Sequence, residues 1–186
     1  MTGIELTATP IAGVQVISRR RIVDQRGYLE RQYDSGDLEE ALNGSQILQV
    51  NRTYTRLAGT VRGLHLQLPP NAEAKIVSCL KGRIFDVAVD LRGYSSTFLR
   101  WFGCELSDSN QRSLLIPPGC AHGIQTLEAD CEVLYLHTSL FAPESEAGLS
   151  PLNSDIDVKW PMPITFLSER DLNEDSDPVL FERIIW

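Results

Sequence analysis

The chain has 186 residues, 42% of them hydrophobic and 23% charged, with a formal net charge of −8. That balance fits a folded domain able to bury about 70% of its unfolded surface without a disulfide or metal staple. It excludes a general nucleic-acid or anionic-membrane binder, which needs a basic face, and no stretch approaches the ~20 apolar residues of a membrane span.

IAGVQVI at 11–17 is too short for a secretory leader, and its basic residues follow it, so the chain is expected in the cytoplasm. Arg19, Arg20 and Arg21 form the densest basic run and read as a solvated segment. Asp37 to Leu42 reads as one short surface helix capped by Asp37. QILQVNRTYT at 46–55 is a strand candidate. KIVSCLKGRIFDVAVDLRG at 75–93 carries two apolar runs joined at Lys81-Gly82, a hairpin signal. In the second run Phe85, Val87, Val89 and Leu91 share one face, and Ile84, Asp86, Ala88 and Asp90 the other. TFLRWFGCEL, SLLIP and CEVLYLHTSLF supply further strands. From Asp155 an acidic tail with Pro161, Pro163 and Pro178 is expected to wrap the body. Turn signals about every ten residues predict an all-β antiparallel sandwich or barrel with few short helices, as a single domain spanning 1–186. Cys79, Cys104, Cys120 and Cys131 lack CxxC spacing and stand among apolar neighbours, as reduced buried thiols do.

No GxGxxG, P-loop, GxSxG or HExxH is present. Chemistry concentrates around the histidines. His65 lies in RGLHLQLPPNAEAK at 62–75, fenced by Arg62 and Lys75. His122 follows a proline turn in LLIPPGCAHGIQ, whose PxGxxH resembles the second motif of the cupin superfamily. Metal-binding cupins carry HxH in their first motif, and here Gln67 stands where the second of those histidines would be. His137 sits on another strand, after Tyr135. About three converging ligands are needed for catalytic zinc or iron, so the set is short and no metal or other cofactor is expected. Two histidines are then free for acid–base work at neutral pH, unless both merely bond to backbone.

Eight segments in chain order, DQRGYLE, LQVNRTYT, RGLHLQLPPNAEAK, GRIFDVAVDLRGYSSTF, LLIPPGCAHG, EVLYLHT, the WP at 160–161 and LSERD, resemble the dTDP-4-dehydrorhamnose 3,5-epimerase family from about Asp24 to Asp171. The resemblance implies a cupin-like jelly-roll barrel and a metal-free epimerase of a nucleotide-linked 4-keto-6-deoxyhexose. It implies His65 as base, Asp171 as the carboxylate that orients it, Tyr135 as proton donor and Lys75 at the developing O4 charge. Arg26 and Arg62 match pyrophosphate ligands. Glu30, Gln49, Asn51, His122, Glu146 and Arg170 match further substrate contacts. A homodimer is implied, with N-terminal strands exchanged over exposed sheet edges. The chain departs from the family pattern at Leu115, Cys120, Ile124, Leu136 and the Leu140-Phe141 pair. These changes leave open the nucleotide, the sugar and whether C3, C5 or both are inverted. A metal-dependent cupin isomerase or dioxygenase and a non-catalytic sugar-binding cupin are the alternatives.

Overall fold

The structure, a computed structural model, describes residues 3–173 together with Phe181, Ile184 and Trp186. Pro178 lies outside the described residues. The strands are, in chain order, β1 (Ile4–Ala8), β2 (Gln15–Arg19), β3 (Ile22–Asp24), β4 (Gly27–Leu29), β5 (Gln49–Thr55), β6 (Val61–Gln67) and β7 (Lys75–Lys81). There follow β8 (Arg83–Asp90), β9 (Trp101–Ser107), β10 (Arg112–Ile116), β11 (Cys120–Thr126), β12 (Cys131–His137) and β13 (Glu146–Gly148). Two short α-helices, α1 (Ser35–Leu38) and α2 (Glu169–Asn173), and a 3-10 turn at Pro143–Ser145 complete the set among the described residues.

Six strands form one sheet in the order β1-β2-β10-β7-β12-β5, and five form a second in the order β13-β6-β11-β8-β9. Neighbours in both are antiparallel. Between the sheets lie Val77, Leu114, Ile116 and Val133 from the first and Ile84, Ala88, Leu106 and Ile124 from the second. Burying side chains of this size is worth about 1.5–3 kcal/mol each, so this layer drives the closure of the sandwich. The predicted alternation along β8 holds, and both of its faces are covered: Phe85, Val87, Val89 and Leu91 pack outward beneath Leu149, Ile156, Val158 and Trp160. The chain after β13 thus wraps the five-stranded sheet. On the opposite side α1 and the segment after it bring Leu38, Ala41, Leu42 and Ile47 onto Ile17, Ile76, Leu115 and Leu136 of the six-stranded sheet.

The Lys81-Gly82 junction is not a hairpin. β7 pairs with β10 and β12, whereas β8 pairs with β11 and β9, so the chain crosses between sheets there. Both runs are apolar on both faces, and each needs a position inside its own sheet rather than beside the other. Gly82 turns the corner at φ +79°, and a Cβ on it would lie 2.8 Å from the Cys131 sulfur. The predicted helix begins earlier and is shorter. Asp34, not Asp37, is its cap, accepting from the Gly36 and Asp37 amides at 3.0 and 3.3 Å. Asn43 and Gly44 adopt positive φ and end the turns that follow.

The basic run is solvated only in part: Arg20 is exposed and Arg21 half-buried, but Arg19 is buried. Arg19 shares with Ile17 the buried face of β2 that α1 covers, and donates to the Gln32 carbonyl and to Ser78 and Ser113. Burial pulls its guanidinium down to about 10, against the opposing charge of Glu30. All four cysteines are free, three buried and Cys104 half-buried. Burial pushes the thiols of Cys79, Cys104 and Cys120 up to about 12, which leaves them unreactive. Among the described residues no helix is long and apolar enough to cross a membrane.

Candidate active site

One open cavity of about 770 Å³ lies between the sheets, a size suited to a small organic ligand. The five-stranded sheet supplies one wall. His65 on β6 and His122 on β11 are register partners there, and the pairing slips by a residue between His122 and Ile124. Close approach of the two backbones makes this slip possible. Gly63 sits at φ +120°, and a Cβ on it would lie 2.6 Å from both the Gly123 Cα and the His122 carbonyl oxygen. Gly63→Ala should therefore lower the unfolding free energy by on the order of 3 kcal/mol, measured by denaturant titration. A loss below about 0.5 kcal/mol would show that the strands can part without cost.

Each of these histidines meets a buried carboxylate. His65 Nε2 is 2.8 Å from Asp171 Oδ1, and His122 Nε2 is 2.7 Å from Asp86 Oδ1. Asp171 comes from α2, whose start is fixed by its own amide donating to Ser168 Oγ at 3.0 Å. Burial alone would raise the Asp171 carboxyl. The hydrogen bond and charge of His65, with help from Ser168 and the Gly63 amide, outweigh it and hold the group below the usual carboxylate range. An ionised carboxylate can only accept, so His65 carries a proton on Nε2, and in the neutral ring Nδ1 is the nitrogen that can take one. Asp86 is fully buried, and burial lifts its carboxyl above the ordinary value, with His122 opposing.

The six-stranded sheet supplies the other wall: Asn51 on β5, Lys75 on β7, and Tyr135 and His137 on β12. Tyr135 stands edge-on to His122, with ring centroids 5.9 Å apart. Burial, then the Asp86 charge, pushes its phenol well above the ordinary value, with Arg62 pulling the other way. The phenol therefore stays protonated, as a donor must. Arg62, Glu146 and Arg170 line the cavity. Arg62 donates to Thr55 Oγ1 at 3.0 Å, and Arg170 pairs with Glu146 at 2.7 Å.

Three expected contacts are not brought to this cavity within the chain. Gln49 turns its amide oxygen to the Phe141 amide at 3.0 Å and steadies the Leu140-Phe141 segment. Arg26 is 91% exposed at the tip of the β3–β4 ribbon, paired with Asp24 at 2.6 Å. Glu30 instead accepts from Arg21 and Gln32, at 2.5 and 2.7 Å, and Arg21 also donates to the Asp108 carbonyl. Gln67 makes backbone hydrogen bonds on both sides of its amide, to Asn71, Leu140 and Ala142. Among the described residues no three His, Cys, Asp or Glu side chains are grouped as a metal would require.

Three residues of the cavity wall and its support escaped the sequence reading. Asp86 is an acid inside the apolar run IFDVAV, and a charge there must have a buried partner. Glu73 sits unremarked beside Lys75 in PPNAEAK. His137 was placed only on another strand, although lying two positions beyond Tyr135 it shares that residue's face and lines the cavity.

A jelly-roll sandwich with histidine–carboxylate pairs on one wall and a tyrosine and a lysine on the other defines a cupin-like acid–base site. The family model described as dTDP-4-dehydrorhamnose 3,5-epimerase matches residues 8–176. A relative of that name from Sinorhizobium fredii is 38% identical over 167 residues, covering 89% of this chain and 86% of the relative. The crystal structure of the dTDP-4-dehydrorhamnose 3,5-epimerase of Elizabethkingia anophelis superimposes with a TM-score of 0.88 at 37% identity, covering 94% of this chain and 97% of that one. The dTDP-6-deoxy-D-glucose-3,5-epimerase of Legionella pneumophila, in complex with dTDP-4-keto-L-rhamnose, superimposes at 0.87 with 33% identity, covering 92% of each chain. The chain belongs to the dTDP-4-dehydrorhamnose 3,5-epimerase family.

Proposed function

We propose that this chain epimerises a dTDP-linked 4-keto-6-deoxyhexose at C3, C5 or both, with His65 as base and Tyr135 as acid. The observation that carries the assignment is the His65–Asp171 pair at 2.8 Å on one wall of a cavity whose facing wall bears a protonated tyrosine. The C4 ketone acidifies its neighbouring C–H bonds. His65 Nδ1 takes such a proton, the C–H electron pair moves into an enolate, and negative charge gathers on O4. The ammonium of Lys75 meets that charge in a site largely withdrawn from water, where fixed electrostatics are worth several kcal/mol. The Tyr135 hydroxyl then gives its proton to carbon from the opposite face, and the configuration is inverted. Exchange with solvent restores phenol and imidazole, so no proton is gained or lost overall. Asp171 fixes the His65 tautomer and stabilises the imidazolium between the two transfers.

Arg62 suits the pyrophosphate, as a forked donor beside the cavity. Asn51, His122, Glu146 and Arg170 line the space left for sugar and nucleotide, with Gln49 behind them. The chain acts as one domain in the cytoplasm, where free thiols such as these persist. Proton NMR of the protein with dTDP-4-keto-6-deoxyglucose in deuterated water tests the reading. Loss of the C3 and C5 signals with a new product is the expected result, exchange at one carbon identifies a single-centre enzyme, and no exchange overturns it.

The functional unit we propose is a homodimer. The β3–β4 ribbon pairs with neither sheet and leaves Ile22, Val23, Tyr28 and Leu29 between 60 and 72% exposed. Such a ribbon is marginal alone in water, and a second copy of the chain would cover it. That arrangement would also bring Arg26, at the ribbon tip, to a neighbour's substrate. Light scattering should give twice the chain mass for the wild type and a monomer for a Tyr28→Asp, Leu29→Asp variant. A monomeric wild type would refute the dimer.

A further inference from the structure

Glu73 and His137, which form a charge cluster with Lys75 in the cavity wall, have no part in the roles assigned above. Glu73, on the connection after the Pro69-Pro70 turn, has a side chain only 7% exposed, and it forks between two strands. Its Oε1 is 3.2 Å from Lys75 Nζ, and its Oε2 is 2.9 Å from His137 Nδ1. Lys75 and His137 are register partners on β7 and β12. The His137 ring stacks on Tyr135, with planes 19° apart and centroids at 6.1 Å. Its other nitrogen, Nε2, is 3.4 Å from Asn51 Nδ2.

The protonation pattern follows from these contacts. Burial would raise the Glu73 carboxyl, but the His137 hydrogen bond and the Lys75 charge outweigh it and keep the group below its ordinary value. An ionised Glu73 only accepts, so His137 donates from Nδ1 and accepts from Asn51 at Nε2. The ring is held at both ends in one orientation. Lys75 needs similar help, because its ammonium is a compact charge on a flexible four-carbon stem. Among the described residues its other polar contact is the His65 carbonyl, at 3.5 Å and so at the limit of a hydrogen bond.

We propose that Glu73 and His137 are positioning residues that act as a unit: Glu73 fixes the ammonium of Lys75 against the cavity, and His137, aligned by the same carboxylate, fixes the ring plane of Tyr135. One buried anion thereby registers the charge stabiliser on β7 with the proton donor on β12. The inference rests on the epimerase reading and deepens it. Before reaction the ammonium is already seated and its charge balanced, so little reorganisation accompanies enolate formation.

The test uses the full chain with dTDP-4-keto-6-deoxyglucose, reading kcat, KM, melting temperature and the ratio of deuterium wash-in to inverted product. Glu73→Gln keeps the shape and removes the charge; kcat should fall about tenfold or more with KM within about threefold, a loss of transition-state rather than ground-state contacts. His137→Asn keeps a donor to Glu73 but removes the ring. Its deuterium wash-in should persist while inverted product falls about tenfold, and the double variant should lose less than the two losses multiplied. A kcat within about threefold of wild type for folded Glu73→Gln, or an unchanged ratio for His137→Asn, overturns the proposal. Should Glu73→Gln fail to fold, Glu73→Asp retains the charge one methylene further away. It should show the same selective fall in kcat, and wild-type turnover there would equally overturn the proposal. A wild-type chain without any exchange would instead overturn the epimerase reading, and this inference with it.

Discussion

Replacing His65 with alanine should cut turnover by roughly a thousandfold or more, since a positioned general base contributes about 10²–10⁴-fold. The fold should survive. The packing of β6 is carried by its neighbours Leu64 and Leu66, which are buried in the outer core, while the imidazole faces the cavity. The variant also strands the Asp171 carboxylate, 4% exposed, without its imidazole, so some loss of melting temperature is expected at neutral pH. Steady-state rates and NMR exchange in deuterated water measure the effect. Persistent exchange at both carbons, at more than about a tenth of the wild-type rate, would move the base elsewhere.

Tyr135→Phe should separate two steps that the wild type performs together. Proton removal by His65 does not need the phenol, so deuterium should still enter the substrate. Delivery from the opposite face does need it, and inverted product should fall about a hundredfold. The ring itself remains, stacked on His137 and edge-on to His122, so the cavity wall keeps its shape. Equal loss of exchange and inversion would show that Tyr135 serves binding or packing instead. Raising the pH offers a control. With its phenol pushed above the ordinary tyrosine value, the wild type should not lose its donor between pH 7 and 10.

Much of this was legible in the sequence because β-structure writes its period directly. The two faces of β8, the turn rhythm and the sandwich class all followed from apolar alternation, and the motif order led to the family. What stayed hidden depends on distance. Lys81-Gly82 has the look of a hairpin turn, and only the competition for partners from β10 and β12 shows that it crosses between layers. Arg19 read as solvated because nothing near it in sequence foretells Ser78 and Ser113, which satisfy it from other strands. Asp34 displaced Asp37 as cap by two competing acids differing only in position. In the site, His65 and Tyr135, the proposed base and acid, lie on different sheets, so their facing each other across one cavity is a product of closure alone. Glu73 went unnoticed for the same reason, since its meaning lies in joining Lys75 to His137.

The crossing at Gly82 carries a cost in time. Because the strands alternate between the sheets from β5 to β8 and again from β9 to β13, most pairs in either sheet join segments far apart along the chain; β5 waits for β12, and β6 for β11 and β13. Loop-closure entropy must be met before such pairings reward it, which places refolding in the millisecond-to-second regime of non-local β topologies. On the ribosome the consequence is sharper. The six-stranded sheet lacks β12 and the five-stranded sheet lacks β11 and β13 until more than half of the chain has emerged, so the nascent polypeptide carries unpaired apolar strands of the kind that aggregate.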